Sequence, residues 1–309
     1  MTTSIPPDRP RLILRSGALA AGYNDDEIRR LRRNGQWTSA ARGAYFETSA
    51  LPRLSPSDRH RLLIETLLPR HAGGPVVSHL SAAVLHGLPL WRIHLSEVHV
   101  TRSPPAKAHR GSMVHSHLST LDAVDVVELG HLSVTSPART VVDVARVVPF
   151  EHGVIVADAA LRLGLTTRDQ LAAQLKRSHR MPGARVAVRV IAFADGRSES
   201  VGESRSRVML HQAGLPEPEL QMTVCDVDGR FLGRADFGYR RRKVLGEFDG
   251  KVKYRGGSGA EDPGETVFRE KREDALRAAG WAVVRWTWSD LDEPATVIHR
   301  IRSALDRSD

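Results

Sequence analysis

Asp236, Glu247, Asp249 and Lys251 are the residues of this chain best suited to chemistry, the last three standing at alternate positions of one apolar run. In a β-strand successive side chains point to opposite faces, so Glu247, Asp249 and Lys251 would share one face and Val244, Gly246 and Phe248 the other. Carboxylates gathered this way suit a hard divalent cation, and such a cation can generate a hydroxide and neutralise the charge that develops when a phosphodiester is hydrolysed. The expectation is a Mg²⁺ or Mn²⁺ site with Asp236 and Asp249 as ligands and Glu247 beside them. Glu203 would arrive from the preceding helix, and Lys251 would orient or deprotonate the attacking water. The competing reading is the wet face of an antiparallel strand. Asp236 weighs against it, because it stands with Arg234 in the mostly apolar run 231–237, and a carboxylate on a central strand needs a partner or a metal.

A second group is basic. Residues 25–34 place Arg29, Arg30, Arg32 and Arg33 around Ile28 and Leu31, so two apolar residues anchor a mostly cationic helix. Asn24 with Glu27 three residues on predicts a capping box at its start, and Gly35 closes it. A short apolar helix precedes it, and two β-prone runs, 36–38 and 43–46, follow around Arg42-Gly43. That order matches a winged helix-turn-helix, with Arg29, Arg30 and Arg33 reaching a major groove and Arg42 touching the DNA backbone. A solvated basic helix on a protein-binding module is the plainer alternative.

These groups need elements to position them. The chain has 309 residues, enough for two or three packed units. We expect an α+β, multidomain architecture: a winged helix-turn-helix over 1–52, a middle α+β module over 53–194 and a third unit over 195–309. In the middle, helices are expected at 57–70, 78–88, 137–148, 151–163 and 167–175, with strands at 97–101, 113–117 and 132–135. After a polar linker at 195–202, the last unit reads α-β-β-β-α-β-α. It holds a helix at 199–213, strands at 220–227, 230–239 and 243–248, a loop at 256–264, a helix at 265–279, a strand at 281–288 and a closing helix at 294–305. Asp228-Gly229 is the hairpin signal within it.

Composition narrows the partners. Lys and Arg number 45 against 36 Asp and Glu, a formal charge of +9 that favours a polyanion, with nucleic acid ahead of an anionic membrane. The single cysteine, Cys225, excludes an intrachain disulfide and a cysteine-based zinc knuckle and fits a reducing, cytoplasmic setting. No apolar leader and no run of membrane-spanning length stand in the sequence, so no membrane association is expected.

Several weaker patterns are read conservatively. His115 and His117 share a strand face and could form half of a metal site, but with no third ligand evident they are expected to be ordinary half-buried histidines. His79, Ser81 and His86 on one helix are likewise assigned to packing. Trp286 and Trp288, two apart on an expected strand, could stack on bases, with core packing preferred. No glycine loop ends in Gly-Lys-Ser or Gly-Lys-Thr, so nucleotide-driven chemistry is not expected.

The last hundred or so residues resemble the PD-(D/E)xK nuclease superfamily, and within it the domains grouped with very-short-patch-repair endonucleases. The matching text is Glu203-Ser-Arg-Ser-Arg-Val, Arg234-Ala-Asp236-Phe, Glu247-Phe-Asp249-Gly-Lys251 and the stretch from Arg272 to Arg285. The resemblance implies a restriction-endonuclease-like αβββαβ domain with Glu203, Asp236, Glu247 and Asp249 as acidic positions and Lys251 as the catalytic lysine. Alanine stands before Asp236 in place of the eponymous proline. Two registers compete, since Glu247-Phe-Asp249 lacks the lysine and Asp249-Gly-Lys251 has it, and Lys271 could supply a migrated one.

The first part is similar to the winged-helix domain of AbiEi-type antitoxins, through Ala18-Leu-Ala-Ala-Gly22 and Arg42-Gly-Ala-Tyr-Phe46. Val77 to Gly87 and Thr135 to Asp143 are similar to segments that follow it in such proteins. That resemblance implies promoter binding and a cognate toxin as partner. Two functions are therefore expected to compete: a Mg²⁺-dependent DNA endonuclease, and a non-enzymatic antitoxin-like regulator of a type IV toxin-antitoxin system whose nuclease fold is vestigial.

Overall fold

The computed structural model describes residues 12–49, 54–68, 74–105, 109–111, 113–250 and 272–307 of a mixed α+β chain, and the strands among the described residues form three sheets. Lys251, Lys271, the expected loop at 256–264 and residues 265–271 of the expected helix lie outside the described residues. The chain divides into two units, residues 1–156 with 165–191, and residues 157–164 with 192–309. Among the described residues no helix is long and apolar enough to cross a membrane.

In the first unit, β1 (Ile13–Leu14), α1 (Arg15–Ala20), α2 (Asp25–Arg33), β2 (Trp37–Ala41) and β3 (Ala44–Glu47) follow one another, and the strands form an antiparallel sheet in the order β1-β3-β2. The capping box expected at α2 is present: Asn24 Oδ1 accepts the Glu27 amide at 2.9 Å while Glu27 accepts the Asn24 amide at 2.8 Å. Buried Ile28 and half-buried Leu31 seat α2 against Ala18, Trp37 and Tyr45. The chain continues through α3 (Pro56–Leu67), β4 (Val76–Val77), α4 (His79–Leu85), β5 (Val98–Arg102), β6 (His109–Arg110), β7 (Val114–Leu118), β8 (Val126–Leu129) and β9 (Leu132–Thr135). Their sheet runs β6-β7-β5-β4-β9-β8, with parallel pairing at β5·β7 and β4·β9. Val77, Val98, Val100 and Val134 are fully buried on it and share one core with Leu63 and Ile64 of α3 and Ala41 and Ala44 of the small sheet.

After β9 come α5 (Pro137–Val147), α6 (Phe150–Arg162), α7 (Arg168–Ser178) and α8 (Ala184–Phe193). The segment ending at Asp143 holds a charge cluster: Arg139, 2% exposed, meets Asp143 at 2.8 Å and Asp125 at 3.2 Å, while Arg146 reaches Asp143 at 2.7 Å. Buried charges persist only when paired in this way.

The second unit carries α9 (Val201–Gln212), β10 (Glu219–Cys225), β11 (Phe231–Tyr239), β12 (Val244–Asp249), α10 (272–278), β13 (Ala282–Thr287), α11 (Trp288–Asp292) and α12 (Ala295–Asp306). Its sheet runs β10-β11-β12-β13, antiparallel except for the parallel pair β12·β13. Phe237 and Trp286 stack at 5.3 Å beneath α9 and α12, and Met222, Ala235 and Leu245 pack with Leu276 of α10. Burying side chains such as Phe237 and Leu245 contributes roughly 1.5–3 kcal/mol each. The turn at Asp228-Gly229 forms as expected, with Gly229 at φ +80° and Asp226 Oδ1 accepting the Asp228 and Arg230 amides.

Three expectations need correction. The polar stretch at 195–202 is not a free linker, because the Asp195 amide donates to Asp158 at 2.7 Å and Asp195 in turn holds Arg197 at 2.7 Å. Trp288 is not on a strand: β13 stops at Thr287, whose amide and hydroxyl bind Asp290 and start α11. Trp286 takes the core role preferred for it, its indole donating to Ser206 at 2.7 Å. Finally, α8 lies where no helix was expected. Its valines at 186, 188 and 190 mimic strand alternation, yet Ala187, Val190 and Ile191 are the buried set, a helical spacing.

Candidate functional site

The acidic residues of the second unit gather at one end of its sheet. Pairing of β11 with β12 runs from Tyr239↔Val244 to Phe237↔Gly246 and stops there. At the next position Asp236 takes the place of a ladder bond, its Oδ2 accepting the Phe248 amide at 2.8 Å. Burial pushes the Asp236 carboxyl up to about 6, offset in part by that amide and reinforced by the neighbouring carboxylates of Glu203, Glu247 and Glu199.

Glu203 sits in the first turn of α9 and is buried. Its carboxylate accepts from the Ser200 hydroxyl, the Glu199 amide and Gln221 Nε2, each at 2.8 Å, and burial raises its pKa. Glu247 is held between two guanidiniums, Arg272 at 2.8 Å and Arg285 at 2.9 Å. Asp249 closes β12 on the same face as Glu247, in register with Thr287 of β13. The structure thus draws Glu203, Asp236 and Glu247 into one electrostatic neighbourhood.

The donor types suit a hard divalent cation, but among the described residues no three of Glu203, Asp236, Glu247 and Asp249 bring their oxygens within 4.8 Å of one another. All the donors are carboxylate oxygens, and the repulsion that disfavours ionised Asp236 is what a bound cation relieves. Glu247 fits less well than expected, since both of its oxygens already meet arginines.

In the first unit, α2 exposes its arginines to solvent. Arg29, Arg32 and Arg33 line a recess of about 340 Å³ together with Asp26, which holds Arg29 at 2.7 Å. Arg30 is exposed outside that recess, and Arg32, not among the expected contacts, lies 5.8 Å from the centre of the Tyr45 ring. Arg42 is exposed at the β2–β3 turn, where Gly43 takes φ +81°.

Two curated proteins of Mycobacterium tuberculosis match the chain: uncharacterized protein MT2308 of strain CDC 1551 / Oshkosh and uncharacterized protein Rv2248 of strain ATCC 25618 / H37Rv. Each is 31% identical over 242 residues, covering 76% of this chain and 83% of its own. The chain belongs to their family. No protein-family model matches the sequence. Among solved structures, that of the RV2827C protein from the same species aligns with 60% of this chain and 72% of its own, at 18% identity and a TM-score of 0.34, a likeness too slight to bear on fold or function.

Several residues that shape the acidic centre were missed in the sequence. Gln221 takes a left-handed φ of +53°, and its side-chain amide donates to Glu203 at 2.8 Å. Arg272 and Arg285 come from elements following β12, and only the fold brings them to Glu247. Away from that centre, Arg240 to Arg242, in the basic turn 240–243 that the sequence offers for contact with a DNA backbone, border a cleft of about 540 Å³ with Tyr239, Glu219 and Arg302. Arg240 is engaged there by Glu219 at 2.7 Å. The helix histidines take the packing roles expected of them: His86 Nε2 meets the Thr135 carbonyl at 2.8 Å, and Ser81 serves His60 at 2.8 Å and the His99 amide at 2.8 Å.

Proposed function

We propose that this protein binds DNA and hydrolyses phosphodiester bonds with Mg²⁺ or Mn²⁺ in a restriction-endonuclease-like second unit, docking through a winged helix-turn-helix at its start. The observation that carries the reading is Asp236, half-buried and pushed to about 6 beside Glu203 and Glu247 where β11 and β12 stop pairing. Perturbed carboxylates in such a setting mark functional sites. The order α9-β10-β11-β12-α10-β13 around a mixed four-stranded sheet supports the fold assignment, and β1-α1-α2-β2-β3 supports the winged helix.

In this reading Asp236 and Asp249 hold the ion, with Glu247 and Glu203 completing its surroundings. Bound there, the ion supplies a hydroxide nucleophile and offsets charge on the leaving oxygen. Asp236 is kept aimed by the Phe248 amide, and Glu203 is fixed by three donors. Arg272 and Arg285 add fixed positive charge where phosphate oxygens would lie. Lys251 is the proposed positioner of the attacking water. Arg29, Arg30, Arg33 and Arg42, joined by Arg32, meet the duplex.

A second reading has its own support. The two arginines on Glu247 neutralise that carboxylate without any metal, as expected of a vestigial centre in an antitoxin-like regulator that binds its promoter and a cognate toxin. Cleavage separates the two. Supercoiled, linear and single-stranded DNA are incubated with the protein in Mg²⁺, Mn²⁺ or EDTA, beside Asp236→Ala and Asp249→Ala. The enzyme reading expects metal-dependent cutting that both variants abolish. No cutting on any substrate, or equal cutting by the variants, leaves the regulator.

A further inference from the structure

Outside the acidic centre, another group of ligating side chains lies in the first unit, on the sheet face opposite Val98 and Val100. Strands β5 and β7 pair in parallel, with His99 beside His115 and Thr101 beside His117. Alternation puts His99, His115 and His117 on one face. Their ligating nitrogens all lie within 4.8 Å of one another, and His99 Nδ1 is 3.0 Å from His117 Nε2. Zinc held by imidazoles at about 2.0–2.1 Å in a tetrahedron separates its donors by about 3.3 Å. One pair already matches that edge to within a few tenths of an ångström, and the third nitrogen, within 4.8 Å of both, reaches it by side-chain rotation.

The surroundings are those of a supported site. Glu97 Oε2 stands 4.0 Å from His115 Nδ1, so a small side-chain movement would bring a carboxylate onto that nitrogen and leave Nε2 for the ion. A carboxylate behind a ligating imidazole is the usual means of setting its tautomer and orientation. His79 stacks on His117 with ring centres 3.7 Å apart, and its Nδ1 is held by Ser78 Oγ at 2.9 Å. Its backbone is left-handed, φ +51°, a conformation that costs energy for a residue with a Cβ and persists where the surroundings impose it. Thr101, 1% exposed, shares the strand face, and its hydroxyl has no hydrogen-bond partner among the described residues. A water on the ion would be a partner for it.

We infer that His99, His115 and His117 form a three-histidine Zn²⁺ site with Glu97 as the orienting carboxylate and a fourth position open to water or an anionic oxygen. Imidazole donors select a borderline ion such as Zn²⁺ over Mg²⁺, which prefers oxygen. The site is therefore chemically distinct from the acidic centre of the second unit, and it stands whether or not that centre cleaves DNA.

The test uses untagged full-length protein stripped with EDTA and then dialysed. Zn²⁺ titration, followed by calorimetry or competition with a chromophoric chelator, should give one tight site per chain. That site should persist in Asp236→Ala/Asp249→Ala, and His99→Ala/His117→Ala should weaken it by about 100-fold or more. Co²⁺ should produce the intense visible bands of a four-coordinate ion, absent from the histidine variant. Glu97→Gln leaves every ligand in place and should weaken binding by roughly 10- to 100-fold, so it decides the matter if the double histidine variant does not fold. No Zn²⁺ uptake by the wild type overturns the inference. So do a pale six-coordinate cobalt spectrum, unchanged affinity in the folded histidine variant, or unchanged affinity in Glu97→Gln.

Discussion

Asp236 accepts the amide of Phe248 at 2.8 Å, so one carboxylate both terminates the pairing of β11 with β12 and faces the acidic centre. Asn at this position keeps an acceptor for that amide and removes the charge. The folded chain holds the Asp236 proton up to about pH 6, against an ordinary value of 3.8. Protonation is thus favoured by folding, and ionised Asp236 weakens the fold at neutral pH by up to about 3 kcal/mol. Asp236→Asn should abolish metal-dependent cleavage yet raise the melting temperature in EDTA by several degrees at pH 7.5, with little change at pH 4. Calorimetric scans at the two pH values check this, and a lower melting temperature at pH 7.5 contradicts it.

Arg29, Arg32 and Arg33 act as a group in the DNA reading. If they meet phosphates, replacing all three with Ala should weaken binding to every duplex, whatever its sequence. The log-log salt slope should become shallower by about 0.9 for each phosphate that is no longer neutralised. Fluorescence anisotropy across a salt series measures both quantities, and an unchanged affinity removes α2 from the interface.

His60 gives the first unit an acid sensitivity. It is 1% exposed, with Nδ1 on the Leu95 carbonyl at 3.2 Å and Nε2 on Ser81 Oγ at 2.8 Å, and burial lowers its pKa from 6.5 to about 4. The unfolded chain takes up this proton near pH 6.5 and the folded chain only near 4. Stability is therefore flat above about 6.5 and falls with decreasing pH through that window, by about 1.4 kcal/mol per unit from this group. Urea unfolding at pH 7.5, 5.5 and 4.5 should show a shallower pH dependence in His60→Gln than in the wild type.

Two glycines should answer the same substitution with opposite signs. A Cβ on Gly202 of α9 would stand 1.9 Å from the Phe248 ring, whereas one on Gly17 of α1 would meet nothing within 4 Å. Gly202→Ala should destabilise the second unit by about 1–3 kcal/mol through overpacking. Gly17→Ala should stabilise its helix by about 0.5–1 kcal/mol. Melting temperatures of the two variants decide it.

Local signals were legible in the sequence. Asn24 with Glu27 and Asp228-Gly229 each act within four residues, and each forms the cap or turn expected of it. The acidic strand was legible because apolar and polar residues alternate along it. What stayed hidden depends on pairing between distant segments. His99 joins His115 and His117 only through the parallel register of β5 and β7. Arg272 and Arg285 reach Glu247 from 25 and 38 residues away. The left-handed backbone of Gln221 is one that its residue type does not advertise.

The parallel pairing of β12 with β13 also orders events in time. Asp249 ends one strand and Ala282 begins the other, so on a ribosome β12 must wait with an open edge until its neighbour emerges. Loop closure over that distance is slow compared with forming the β10–β11 hairpin. Glu247 gains Arg285 only when the two strands zip together. The acidic centre is therefore among the last parts of a nascent chain to assemble, and on the nuclease reading an unfinished polypeptide cannot yet cut DNA while its gene is still being read.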